Sequence, residues 1–139
     1  MADVADAANE GDARAVAAWL YEGGSVDTRC AENDSETLLM AAAHGGQEAI
    51  VRMLLQRGAS VNLQNSLGAT ALMAAACHGH NKIVQALLDA KADASLQESN
   101  GRTALMWAKQ EKRVATAQLL RQHAKRQAAE ETVIQERGL

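Results

Sequence analysis

Four side chains in this sequence have the chemistry to hold a metal or attack a substrate: His44, Cys77, His78 and His80. Imidazole and thiolate are the usual donors to zinc, which needs its ligands within about 2.3 Å. Their spacing works against that use. His44 and Cys77 stand 33 residues apart, at equivalent positions of a repeating unit. Stacked helices lie about 8–10 Å from one another, so sharing one ion would demand unusual side-chain reach. His80 follows Gly79 on a turn and should point elsewhere. Cys77 has no base placed by spacing to activate it, and the chain has neither paired carboxylates nor a phosphate-binding glycine loop. Two cysteines do not make a disulfide framework, so Cys30 and Cys77 are read as free thiols. No catalytic residue, metal or cofactor is therefore predicted, and the protein is read as a non-enzyme. Asn33-Asp34-Ser35 fits a glycosylation acceptor, which means little without a secretion signal.

The elements carrying these residues recur. Thr37, Thr70 and Thr103 are 33 residues apart and open the similar runs TLLMAAAHGG, TALMAAACHG and TALMWAKQEK. A fixed period of about 20–50 residues signals stacked repeats. In the copy from 37 to 69, the Thr37 hydroxyl can cap a first helix. Leu39, Ala42, Ala43 and Gly46 fall on one face of it, and Gly46 can take the left-handed conformation that ends it. A second helix over about 48–57 turns Ile50, Val51, Leu54 and Leu55 inward and stops at Gly58. An extended segment and a turn at Ser66-Leu67-Gly68 lead to the next Thr. The following copy repeats this through Leu72, Ala75, Ala76, Gly79, Ile83, Val84, Leu87 and Leu88. Such units cannot bury their apolar faces alone, so neighbours must cover them.

Both ends depart from the period. Residues 1–36 hold a degenerate copy, with Trp19 at the core position of Leu54 and Leu87, and a larger first hairpin around Ala31–Ser35. In the last copy Lys112 and Ala124 replace the two stop glycines. The second helix should then run from 114 to 136, with Ala117, Leu120, Ala124 and Ala128 inward and Val133 and Ile134 as an apolar tip before the breaker Gly138.

Composition agrees with this organisation. The 139 residues are 47% apolar but only 2% aromatic, with no Phe and no Pro. Ala and Leu must therefore fill the core, in closely packed helices. The acidic N-terminus carries no signal or transit peptide, and no run approaches the roughly 18 apolar residues of a membrane span. This predicts a soluble, intracellular protein in the cytoplasm, with the nucleus left open. Net charge is −3, against nucleic acid as a partner, yet residues 1–36 carry −7 and residues 103–139 carry +3. Polar capping of the end repeats and weak head-to-tail self-association both fit that asymmetry.

The repeat resembles the ankyrin repeat in its Thr-x-Leu start, Ala-Ala pair, interhelical Gly, Ile-Val and Leu-Leu pairs, and the run Gly58-Ala59-Ser60-Val61-Asn62 with its turn glycine. The resemblance implies an all-α repeat solenoid: one domain over 1–139, with helix-turn-helix repeats at 2–36, 37–69, 70–102 and 103–126, short hairpin loops, and a helical extension over 127–139. Leu38, Ala71 and Ala104 stand where the family has Pro, and Met40, Met73 and Met106 where it has His. The three methionines should form an apolar ladder between repeats. Lys91 stands at a family glycine, so the stack should be least regular around Lys91 and Lys112.

The family binds other proteins on its concave side, with hairpin tips and first helices. Carried over, the tips are Ser66, Leu67, Ala69, Ser99, Asn100 and Arg102. The helix positions are Ala41, His44 and Gly45, then Ala74, Cys77 and His78, then Trp107, Gln110 and Glu111. Trp107 replaces Ala41 and Ala74 of the earlier copies and is read as an exposed anchor, with Arg102 as its polar neighbour, unless it packs on the C-terminal extension. Asn62 sits in a context where asparagines of the family can be hydroxylated. The implied function is non-enzymatic protein–protein interaction. The alternatives are a self-associating scaffold or a regulatory fragment of a larger multidomain protein, although the starting Met and short tail point to a complete chain.

Overall fold

Residues 3–137 are described by a computed structural model. The order is α1 (Val4–Glu10), α2 (Ala13–Tyr21), β1 (Arg29–Cys30), β2 (Glu36–Thr37), α3 (Leu38–His44), α4 (Glu48–Gln56), α5 (Ala71–Cys77), α6 (Asn81–Asp89), α7 (Ala104–Gln110) and α8 (Val114–Glu136). These form four helix pairs, and α3, α5 and α7 start 33 residues apart, as do α4, α6 and α8. The threonines set that period. Thr37, Thr70 and Thr103 have extended backbone, and their hydroxyls accept the N–H of Met40, Met73 and Met106 at 3.2, 3.2 and 3.3 Å. The Thr37 N–H in turn donates to the Met40 Sδ at 3.5 Å. An N-cap of this kind contributes about 1 kcal/mol. Thr70→Ala should therefore lower the unfolding free energy by about 1–2 kcal/mol, read from a urea titration. A midpoint equal to the parent's would show that the cap is dispensable.

The first helices stack in the order α1, α3, α5, α7. Their seams are made of small residues: Ala8, Ala41, Ala42, Ala43, Ala75, Ala76 and Ala108 are almost wholly buried. Behind them Val16, Ile50, Val51, Leu54, Ile83, Val84, Leu87 and Leu120 form the second layer. Leu55 is only half-buried. Thr116 is buried at the position of Ile50 and Ile83, and its hydroxyl bonds the Asn81 side chain across the α6–α8 seam.

Polar rungs tie successive repeats. Arg29 Nη1 donates to the carbonyls of Ser35 and Gln64 at 3.0 and 2.9 Å, and Gln64 Nε2 donates to those of Gly68 and Gln97 at 2.8 and 3.0 Å. Gln47 Nε2 donates to the Asn9 carbonyl at 3.0 Å, and Arg113 Nε to the Cys77 carbonyl at 3.2 Å. Gln47, His80 and Arg113 lie against Gly11, Gly46 and Gly79, and a Cβ on those glycines would come within 2.6, 2.9 and 2.9 Å of them. The interhelical glycine thus makes room for a side chain of the following repeat.

The larger first hairpin is present: β1 and β2 pair antiparallel around a 3-10 turn at Ala31–Asn33, and Asp34 and Ser35 both take positive φ. The long α8 ends at Glu136, and Gly138, its anticipated breaker, lies outside the described residues.

Several expectations need correction. The stack does not lose regularity at Lys91 or Lys112. Both lysines adopt the left-handed conformation of the glycines they replace, with φ of 71° and 59°, so the spacing is unchanged. That conformation costs a non-glycine residue about 1 kcal/mol, so Lys91→Gly should raise the unfolding free energy by about that increment, read from a urea titration; a lower midpoint would contradict this reading. The methionine ladder has two rungs, because Met40 and Met73 are buried but Met106 is 49% exposed, with no described repeat packed over it. Ala124 and Ala128 are exposed, since α8 outruns the stack after Leu120. Trp19 is half-buried rather than core, because no described helix packs on the outer side of repeat one. Its Nε1 donates to the Ser25 carbonyl at 3.2 Å, and its ring lies against Gly24.

Candidate functional site

The side built from the hairpins and first helices carries a groove of about 250 Å³ running from β2 to α7. Met40 and Met73, whose N–H groups the caps of α3 and α5 accept, line it with Leu67 and Ala69 from the second hairpin, Ala74 from α5, and Trp107 from α7. Trp107 is half-buried among these groups. The Arg102 guanidinium lies 4.9 Å from its ring centroid, within the range of a cation–π contact. Trp107 therefore faces the groove, and Arg102 is the neighbour that the sequence analysis anticipated.

The groove brings together His44, Leu67, Ala69, Ala74, Cys77, His78 and Trp107 of the predicted contact set. Ala41 must be withdrawn from that set: it is 0% exposed, sealed in the seam where Asn9 of α1 reaches its carbonyl. Gly45 is in the same seam, where a Cβ would lie 2.1 Å from the Asn9 carbonyl oxygen. Ser66, Ser99, Asn100, Gln110 and Glu111 are exposed but do not line the groove. Both serines are committed to the scaffold. The N–H and hydroxyl of Ser66 donate to the Asp34 carbonyl, and those of Ser99 donate to the Leu67 carbonyl.

Six lining residues escaped the sequence analysis: Glu36, Met40, Asn65, Thr70, Met73 and Glu98. Asn65 and Glu98, one period apart, carry a legible signal. Asn65 Oδ1 accepts the N–H groups of Leu67 and Ala69, and Glu98 Oε1 those of Asn100 and Arg102, so each folds its own hairpin tip. The methionines were assigned only to the space between repeats, whereas their edges also reach the groove.

The histidines converge more than their spacing suggests. The His44 and His78 rings meet edge to face with centroids 4.5 Å apart, and His78 stacks on His80 at 5.8 Å. His80 thus does not point elsewhere, because α6 begins beside the end of α5 and lays its ring over Gly46. Asn9 Nδ2 stands 3.1 Å from His44 Nδ1 and can donate to it. Burial, then His44, His80 and Arg113, hold His78 below the usual histidine range against an opposing pull from Glu111. Burial and Glu111 push the Cys77 thiol up while Arg113 opposes. Burial likewise raises Cys30, whose thiol donates to Asp3 at 3.4 Å. Both thiols are free and held protonated, the reverse of an activated nucleophile. Among the described residues no group of three or more His, Cys, Asp or Glu side chains is set to hold a metal. Asn62 Oδ1 accepts the Asp93 N–H at 2.7 Å, as Asp27 Oδ1 accepts that of Ser60 at 2.8 Å, so its amide is a rung between hairpins.

Comparison with known proteins agrees with the repeat geometry. A family model described as ankyrin repeats (3 copies) matches residues 4–98 and 57–131. The chain is similar to ankyrin repeat and SAM domain-containing protein 6 of Mus musculus, 46% identical over 46 residues, covering 33% of this chain and 5% of that protein. The Rattus norvegicus protein of the same name is 45% identical over 53 residues, covering 37% and 6%. The matched segment is thus a small part of those relatives. Among the described residues, no helix is long and apolar enough to cross a membrane.

Proposed function

Because this chain belongs to the ankyrin repeat family, we propose that it is a non-enzymatic module that docks another protein in its concave groove. Repeats of this family are in general protein–protein interaction modules. One observation carries the finer reading: Trp107 closes the groove at a position where the two preceding repeats have Ala41 and Ala74. The scaffold accepts alanine there, so the indole is spent on the surface rather than on the fold. Tryptophan is among the residues most enriched in the energetic centres of interfaces. The stacked repeats hold the groove walls before a partner arrives, which lowers the ordering entropy lost on docking.

Residues 1–139 act in this reading as one domain of four repeats, with 127–139 as a helical extension, in the interior of the cell. The partner is a protein rather than nucleic acid, because the net charge is −3 and no basic surface with interleaved aromatics is present in the sequence. The test is capture of partners from the native source with the wild-type chain and with Trp107→Ala, followed by affinity measurement on the captured species. Equal affinity of the two chains for every captured protein would reject the concave reading.

A further inference from the structure

We propose that the segment seated in this groove carries an apolar side chain next to a lysine or arginine, an inference that rests on the concave reading above. The floor supplies the first half of the argument. Met40, Met73, Leu67 and Trp107 offer an apolar surface, and methionine adapts to side chains of irregular shape. Leu67 is 53% exposed at its hairpin tip and borders this surface.

The second half is charge. The ionised side chains lining the groove are Glu36 and Glu98, and both are acids. Among the described residues the ion pair formed is Arg52 with Glu48, on the far helix α4, so neither groove carboxylate is neutralised within the chain. Glu98 spends Oε1 on two backbone N–H groups, and Arg102, the nearest cation to Trp107, is stacked on the indole. Glu36 is half-buried on β2. Burial raises its carboxyl above the usual range, Asp34 and Asp6 add to that, and His44 opposes. A carboxylate held in a disfavoured charged state gains most from a cation brought to it.

The alternatives fare worse. An acidic segment would meet like charge at both ends of the groove. A wholly apolar one would strip water from two carboxylates that have no cation paired with them, at a desolvation penalty that the two backbone N–H groups on Glu98 offset only in part. The N-terminal repeat beside Glu36 adds a wider acidic field, with −6 over residues 1–35, which draws a cationic segment toward this end. From α3 to α7 the groove spans two helix spacings, about 16–20 Å. That is about six residues of extended chain.

The test uses short random peptides displayed on phage and panned on the full chain. Enriched peptides are synthesised with a fluorophore and titrated by anisotropy against the wild type, Trp107→Ala and the double variant Glu36→Gln/Glu98→Gln. Glutamine keeps the oxygen that folds the Glu98 turn, so the double variant retains the hairpin. Enriched sequences should pair Lys or Arg with an apolar neighbour. The double variant should weaken them about tenfold and flatten their salt dependence, as loss of complementary interfacial charge does. Peptides that are sensitive to Trp107→Ala but lack a basic residue, or that bind the double variant as well as the wild type, would overturn the basic-segment inference and leave the groove reading standing. Failure to enrich any peptide, or enrichment only of peptides indifferent to Trp107→Ala, would overturn both.

Discussion

Gly45→Ala should destabilise this protein by about 3 kcal/mol, although a methyl group is all it adds. Backbone conformation gives no reason for harm. Gly45 has φ −76° and ψ −4°, a right-handed geometry that alanine adopts readily. At an open site the change would stabilise by about 0.4–1 kcal/mol, through a less flexible unfolded chain. The seam reverses that sign. A Cβ here would lie 2.1 Å from the Asn9 carbonyl oxygen and 2.9 Å from its carbon. These are backbone atoms, with no side chain to swing aside. Helix α1 would have to retreat as a body, opening the seam in which Ala8 and Ala41 are fully buried and weakening the Gln47–Asn9 hydrogen bond. A urea titration read by far-ultraviolet circular dichroism decides the matter. A midpoint at or above the parent's would mean that α1 is not held at this distance. Gly58 is the control: nothing lies within 4 Å of its Cβ position, so alanine there should cost only the strain of φ +86°, about 1 kcal/mol.

Trp107→Ala should do the opposite, sparing the fold and weakening the cognate partner by about 2 kcal/mol or more, about thirtyfold in Kd. Trp107 is half-buried, so a partner can still cover the exposed part of its ring, and the burial of aromatic surface at an interface centre accounts for a loss of that order. The loss should appear chiefly in the dissociation rate. Trp107→Phe, which keeps a ring over the groove, should recover part of it. If affinity falls together with the urea midpoint, the effect is one of folding and the anchor role fails.

Periodicity made much of this fold readable. The caps at Thr37, Thr70 and Thr103, the glycine stops and the span of α8 all follow from comparing one copy with the next. What periodicity conceals is the difference between having a neighbour and lacking one. Met106 and Trp19 occupy positions that are buried in the inner repeats, at Met40 and Met73 and at Leu54 and Leu87, yet no described repeat packs over either. The groove was partly legible. Trp107 stood out by breaking the pattern, while Glu36 and Glu98 did not, because nothing local marks a carboxylate as lacking a cation. Ala41 shows the converse error: equivalence to Trp107 in sequence said nothing about depth, and the α1–α3 seam closes over it. The contact of His44 with His78 joins two repeats at non-equivalent positions, which a one-dimensional register cannot display.

Lys112 gives the fourth helix pair an outer edge unlike the others. In the earlier repeats, a glycine leaves a notch that the following repeat fills with Gln47, His80 or Arg113. Lys112 takes the same left-handed backbone but brings its own Cβ, so the notch at this end is already occupied. Elongation by another copy docking in register would meet a filled keyhole.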